Sequence, residues 1–141
     1  MPIQRFVHPG LAPVISLERA LTVFQRTAAR PARSETLVIF LEEGGFGHTV
    51  VTVSGTTESD QVIDVAETMI QAAICQVDTS GVVIASVRPN GEVLADDDDL
   101  WFDLDDMFSD AGLVLMDWLV LGRFGPQSPR ELLGLASRWP T

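Results

Sequence analysis

Arg88 is the one basic residue in an acidic field, and the residue types around it are those of hydrolytic or metal chemistry. From Ser34 to Gly122 the chain carries eighteen Asp and Glu against that single base, a net of −17. Ser86 lies two residues before it, the run Asp96 to Asp99 follows, and Glu35 opens an earlier apolar stretch. Carboxylates at a strand end and a helix start can hold a divalent metal or move a proton. Imidazole and thiol donors are scarce: His8, His48 and Cys75 are all there are. Neither His has the spacing of a metal pair, and each reads as a surface or packing residue. Cys75 follows Ile70, Ala73 and Ile74 on the apolar side of a helical pattern and reads as a buried, inert thiol. The Asp run is no EF-hand loop, because no Gly stands at its sixth position and no Glu at its twelfth. Capping and the helix dipole already explain acids there. No Ser-His-acid set is visible, and GGFGH over 44–48 sits where a hairpin turn would.

The elements that must position these residues follow from the pattern of apolar positions. Residues 1–15 hold three prolines and no period, and read as an extended lead-in. Ser16 can cap a helix to about Ala29, with Leu17, Leu21, Phe24 and Ala28 on one face. Thr36 to Glu42 is a near-continuous apolar strand, as expected where both faces are covered. Gly44 and Gly45 suit a turn into a second strand, His48 to Ser54, antiparallel to the first. A helix from Ser59 or Asp60 to about Gln76 carries the stripe Val62, Val65, Ala66, Met69, Ala73 and Ile74. The strand Val82 to Ser86 leads through the Pro89–Gly91 loop to a helix opening at Asp96 to Asp99. That helix aligns Leu100, Leu104, Met107, Phe108 and Ala111 and stops at Gly112. Leu113 to Leu121 is the last buried strand. Ser128-Pro129-Arg130-Glu131 is a capping box that starts a short helix. The order predicts one α/β domain, a single layered α-β-α unit with a mixed sheet. Leu100, Trp101 and Phe102 cannot all face one core, so an exposed aromatic beside the acids is a candidate partner contact.

Composition bounds the function. With 141 residues and 46% hydrophobic content the chain makes one domain with a sizeable core. One cysteine allows no internal disulfide. No apolar run reaches the ~18 residues of a membrane span, and the N-terminus lacks the form of a signal peptide, so a cytoplasmic protein with no membrane partner is expected. The net charge is −11, all nine bases are Arg, and the flanks outside 34–122 are +6. The acidic centre repels phosphates and argues against direct nucleic-acid binding. The basic flanks are expected to fold back onto it.

Ser86-Val87-Arg88-Pro89-Asn90-Gly91, Asp96, Asp99, Glu35 and the closing run Met116-Asp117-Trp118-Leu119-Val120-Leu121-Gly122 occur in an order with a known counterpart. The stretch resembles the RadC-like branch of the JAB/MPN (JAMM) metal-dependent hydrolases. Those proteins carry His-x-His-Pro-x-Gly, a Ser eight residues after the second His, an Asp three further on, an early Glu, and a closing strand of the form Leu-Asp-His-x-Ile-x-Gly. The resemblance implies a JAB/MPN, cytidine-deaminase-like fold. Residues 1–33 would form an N-terminal extension and helix, 34–122 the core, and 123–141 a tail with a short helix in the same domain. It puts Ser86, Arg88 and Asp99 at the metal positions and Glu35 at the catalytic acid/base position. Pro89 and Gly91 keep the turn, Asp96 takes the Ser position, and Trp118 replaces a His beside Asp117.

A Ser hydroxyl is a poor zinc ligand and a guanidinium cannot coordinate at all. Arg88 is therefore expected to stand in for the cation, paired with Asp99, Glu35 or both. The reading that follows is a catalytically inactive protein-interaction or scaffold module, without a cofactor, that binds a protein partner or forms a homodimer. The alternative is a divergent metal-dependent hydrolase of peptidase or isopeptidase type, with zinc or a harder ion and a DNA-repair association implied by the family. A third reading is an acidic decoy that binds a basic partner through Asp96 to Asp110.

Overall fold

A computed structural model describes residues 3–7, 16–43, 47–75 and 78–139, the first five by their backbone. The elements run β1 (Ile3–Val7), α1 (Leu17–Thr27), β2 (Glu35–Glu42), β3 (Gly47–Ser54), α2 (Gln61–Ile74), β4 (Thr79–Val87), α3 (Asp97–Asp110), β5 (Val114–Gly122), β6 (Gly125–Gln127) and α4 (Pro129–Leu132). Six strands form one mixed sheet in the order β1-β3-β2-β4-β5-β6. β2 is antiparallel to both of its neighbours, β3 and β4, while β4 and β5 run parallel. The parallel pair is the one joined through a helix, α3, as a crossover requires.

Strand alternation sorts the core into two layers. Val38, Phe40, Val82, Ile84, Trp118 and Val120 pack with Val62, Val65, Ala66 and Met69 of α2 and with Trp101, Leu104 and Phe108 of α3. Leu37, Ile39, Leu41, Val83, Ala85, Val87 and Leu119 pack on the other face with Ala20 and Phe24 of α1. β2 is buried on both faces, as its unbroken apolar run predicts. A bulge in β5 pairs Val82 with Leu115 but Val83 with Asp117. Through it Leu115 and Trp118, three residues apart, both join the core under α2 and α3.

Several boundaries differ from expectation. Part of the lead-in, Ile3–Val7, pairs with β3, since Pro2 and Pro9 flank these residues without interrupting them. β4 starts at Thr79, ahead of Gly81, where a Cβ would press on the Val114 carbonyl. α2 ends at Ile74, which is 63% exposed, and Cys75 caps the helix as an exposed thiol. Ile74 lies about 100° round the helix from Ala73, beside the stripe rather than in it. On α3 the buried residues are Asp97, Trp101, Leu104 and Phe108, and Leu100, Met107 and Ala111 are only partly covered. The turn expected at Gly44 and Gly45, His8, and the His48 side chain lie outside the described residues.

The tail closes over the β5 side of the sheet. Ser128 Oγ accepts from the Glu131 N–H at 3.2 Å, the capping bond expected of its sequence. Arg138 donates to both Asp105 oxygens at 2.6 and 3.1 Å and to the Leu115 carbonyl at 2.8 Å. Arg130 and Arg138 lie 5.2 and 5.8 Å from the Trp101 ring centroid, and Trp101 has no solvent exposure. Flank arginines thus fold back onto the acidic centre. Among the described residues no helix is long and apolar enough to cross a membrane.

Candidate functional site

The polar cleft lies where β2 begins, β4 ends and α2 begins, beside the turn that leads to α3. Arg88 leaves β4 and opens a turn in which the Gly91 N–H donates to the Arg88 carbonyl at 2.9 Å. Pro89 supplies the fixed φ that such a turn favours at its second position. The turn is stitched to the end of β5 by Arg88 N–H to Leu121 O at 3.0 Å and Arg123 N–H to Gly91 O at 2.8 Å. Gly122 permits this approach, because a Cβ there would run into the Gly91 carbonyl.

The turn aims the Arg88 guanidinium at α3. Nη1 and Nη2 donate to the two carboxylate oxygens of Asp97 at 2.6 and 2.9 Å, and Nη1 also donates to the Glu92 carbonyl at 2.9 Å. Asp97 is wholly buried and takes a further bond from the Leu94 N–H at 2.6 Å. A bidentate pair with each carboxylate oxygen hydrogen-bonded is the arrangement that makes a buried charge tolerable. The Arg88 guanidinium lies 5.9 Å from the Trp118 ring centroid. The Trp118 indole N–H donates to Ser86 Oγ at 3.0 Å. Ser86, Arg88 and Trp118, the three residues that stand where the resemblance expects histidines, therefore contact one another in sequence.

The expected partner of Arg88 is corrected by this geometry. Asp99 and Asp96 are exposed, and neither pairs with Arg88. Glu35 is excluded by strand alternation. Thr36 is the register partner of Ser86, and Glu35 that of Val87, so Glu35 points to the α1 side of the sheet. There its Oε1 accepts from the Ala29 N–H at 2.8 Å, and Arg33 Nε lies 3.6 Å from Oε2. Oε2 is buried and makes no hydrogen bond. Glu35, Ser86, Arg88 and Asp99 do not converge.

Asp97 is the member that sequence reasoning missed. The signal was present: Asp97, Trp101, Leu104 and Phe108 are spaced 4, 3 and 4 residues apart, one buried stripe of α3. Extending the apolar face back by one turn picks Asp97 out of the four aspartates.

Asp117 is a second buried acid, at 6% exposure. It accepts from its neighbour Trp118 N–H at 2.9 Å, from the Ser128 hydroxyl at 2.8 Å and from the Trp139 indole at 3.4 Å. Burial outweighs these donors and raises its pKa above the ordinary carboxylate value. It ties β5 to the tail and lies apart from the cleft. Trp101 and Trp118 are buried, while Phe102 is the exposed aromatic of α3, at 49%.

The residues at the implied zinc positions do not fit that ion. Ser86 Oγ is engaged by an indole, Arg88 is a cation, and Asp99 faces solvent. Among the described residues, no three His, Cys, Asp or Glu gather as a metal-binding group. What remains is a hydroxyl-rich cleft of about 220 Å³ walled by Thr36, Thr56, Thr57, Ser86 and Arg88, with Glu58 and Glu92 also lining it. Such a cleft can bind and orient polar groups. No protein-family model matches the chain, and no curated protein matches it.

Proposed function

We propose that this domain is a catalytically inactive interaction module built on a JAB/MPN-like, cytidine-deaminase-like α/β scaffold of the RadC-like kind. The observation that supports it best is the Arg88–Asp97 ion pair. A fixed guanidinium supplies the positive charge at the position where the resemblance puts a metal ligand, and its carboxylate partner is fully engaged. The residues at the implied metal positions form no ligand set for a Lewis acid that would lower the pKa of a bound water, and Asp97, held by Arg88, is not free to take its proton. Chemistry of the peptidase or isopeptidase type then lacks the metal ligands and the positioned acid/base that the resemblance would require, since Glu35 lies on the other face of the sheet.

Binding falls to the outer face of α3. Phe102 is exposed there, with Asp98, Asp99, Asp103 and Asp106 exposed on the same helix within four residues of it. An apolar anchor ringed by carboxylates suits a basic protein surface. The test is metal and activity analysis of the purified chain after exposure to zinc and manganese. We expect no stoichiometric metal and no cleavage of an isopeptide substrate. One bound ion per chain, lost in Asp99→Ala together with hydrolysis, would overturn the reading.

A further inference from the structure

We propose that the cleft between the start of β2 and the end of β4 binds a small primary ammonium compound carrying a carbonyl oxygen, of the amino-amide kind. The inference concerns the ligand of the cleft, and it stands apart from whether the domain docks a partner through α3.

The donors come first. Ser86 is 7% exposed, and its hydroxyl accepts from Trp118, which leaves its own proton without an acceptor among the described residues. Thr36 and Thr56 share one hydrogen bond at 2.9 Å, so one of their two protons is also spare. Arg88 has committed both Nη1 protons and one on Nη2, and keeps the Nε proton and the other on Nη2. All of these residues line one cleft. Its polar interior therefore offers donors and calls for an oxygen acceptor.

The charge is decided separately. Asp97 neutralises Arg88, whereas Glu58 and Glu92, both exposed, have no ion-pair partner among the described residues. The rim is net negative, which repels a carboxylate or phosphate and attracts an ammonium group. Val62 and Leu94 add apolar wall to the cleft. A volume of about 220 Å³ lies below the roughly 300–1,000 Å³ of sites for drug-sized ligands. A free amino amide or the first residue of a peptide meets these conditions: carbonyl inward, ammonium at the rim.

The experiment is an amide chemical-shift titration of the full, isotope-labelled chain with glycinamide, acetamide and acetate. Glycinamide is expected to give saturable shifts at Thr36, Thr56, Ser86 and Glu92. Acetamide, which lacks the charge, should bind about threefold or more weakly, and acetate should not bind. Glu58→Gln and Glu92→Gln should each weaken glycinamide about threefold without disturbing the fold, since both side chains are exposed. Ser86→Ala strips the Trp118 indole of its acceptor and can damage folding. Thr36→Val combined with Thr56→Val removes both hydroxyls of the shared pair, serves as the donor test and should also weaken binding. Triglycine amide separates the sources: tighter binding than glycinamide assigns a peptide N-terminus, and equal binding a free small molecule. Absence of saturable shifts at the cleft, or acetate binding as well as glycinamide, would overturn the proposal.

Discussion

At the scale of single residues, neighbouring aspartates in one run have opposite fates. Asp97 is buried and holds Arg88, while Asp99, two residues on, faces water. Removing one partner of a buried ion pair leaves the other charge stranded, so Asp97→Ala should cost about 3 kcal/mol. Asp99→Ala should stay within about 0.5 kcal/mol of the parent. Urea unfolding of the two variants side by side checks the contrast, and equal losses would contradict the pairing.

Asp117 adds a pH signature. Its folded pKa lies above the ordinary 3.8 because burial disfavours the carboxylate. As pH rises past 3.8, the unfolded chain ionises first, and stability falls until the raised folded pKa is passed. Below the ordinary value both states hold the proton and the contribution is fully restored. Asp117→Asn lacks this titration. Unfolding free energies measured from pH 7 down to pH 4 should therefore shift in the parent's favour relative to the variant.

At the scale of elements, the decisive devices are strand alternation, helix phase and one close backbone crossing. The apolar run of β2, the capping box of α4, the Pro-Gly turn and the α-β alternation were all legible, because each rests on local chemistry or a local period. That Glu35 points away from Ser86 was not. It depends on which residue of β2 faces which of β4, and that register is set by the whole sheet. Asp97 was legible in principle from the Trp101, Leu104 and Phe108 phase, but four identical residues in a row carry no internal period. β6 was hidden by its three-residue length and by Pro126, and β1 by flanking prolines that read as loop signals. The crossing of Gly91 and Gly122 gives its own test. Gly122→Ala forces the new methyl against the Gly91 carbonyl and should destabilise by about 1–3 kcal/mol. Because the turn carries Arg88, the same variant should lower the coupling between Arg88 and Asp97 in a double-mutant cycle.

At the scale of the molecule, the uneven charge is partly an internal affair. The basic tail lies against the acidic core through Arg138 and Asp105 and covers Trp101 with two guanidinium groups. The Arg138 and Asp105 side chains are 30% and 26% exposed, so solvent screening limits the pair to about 1 kcal/mol. Arg138→Ala should lose about that much at low salt and less at 0.5 M salt, with Trp101 becoming accessible to a collisional quencher. The carboxylates left uncovered, on α3 and at the cleft rim, are the ones available for a basic partner or an ammonium ligand.

Arg88 and Asp97 are proposed to fill the place where the JAB/MPN resemblance would put a metal. Thermal unfolding of the parent chain with excess chelator, and again with one equivalent of zinc, tests it most directly. A ligand that binds only the folded state raises its midpoint, and one removed from it lowers the midpoint. We expect the same Tm in both samples. A Tm that falls with chelator and returns with zinc, by a shift that Asp99→Ala abolishes, would contradict the claim.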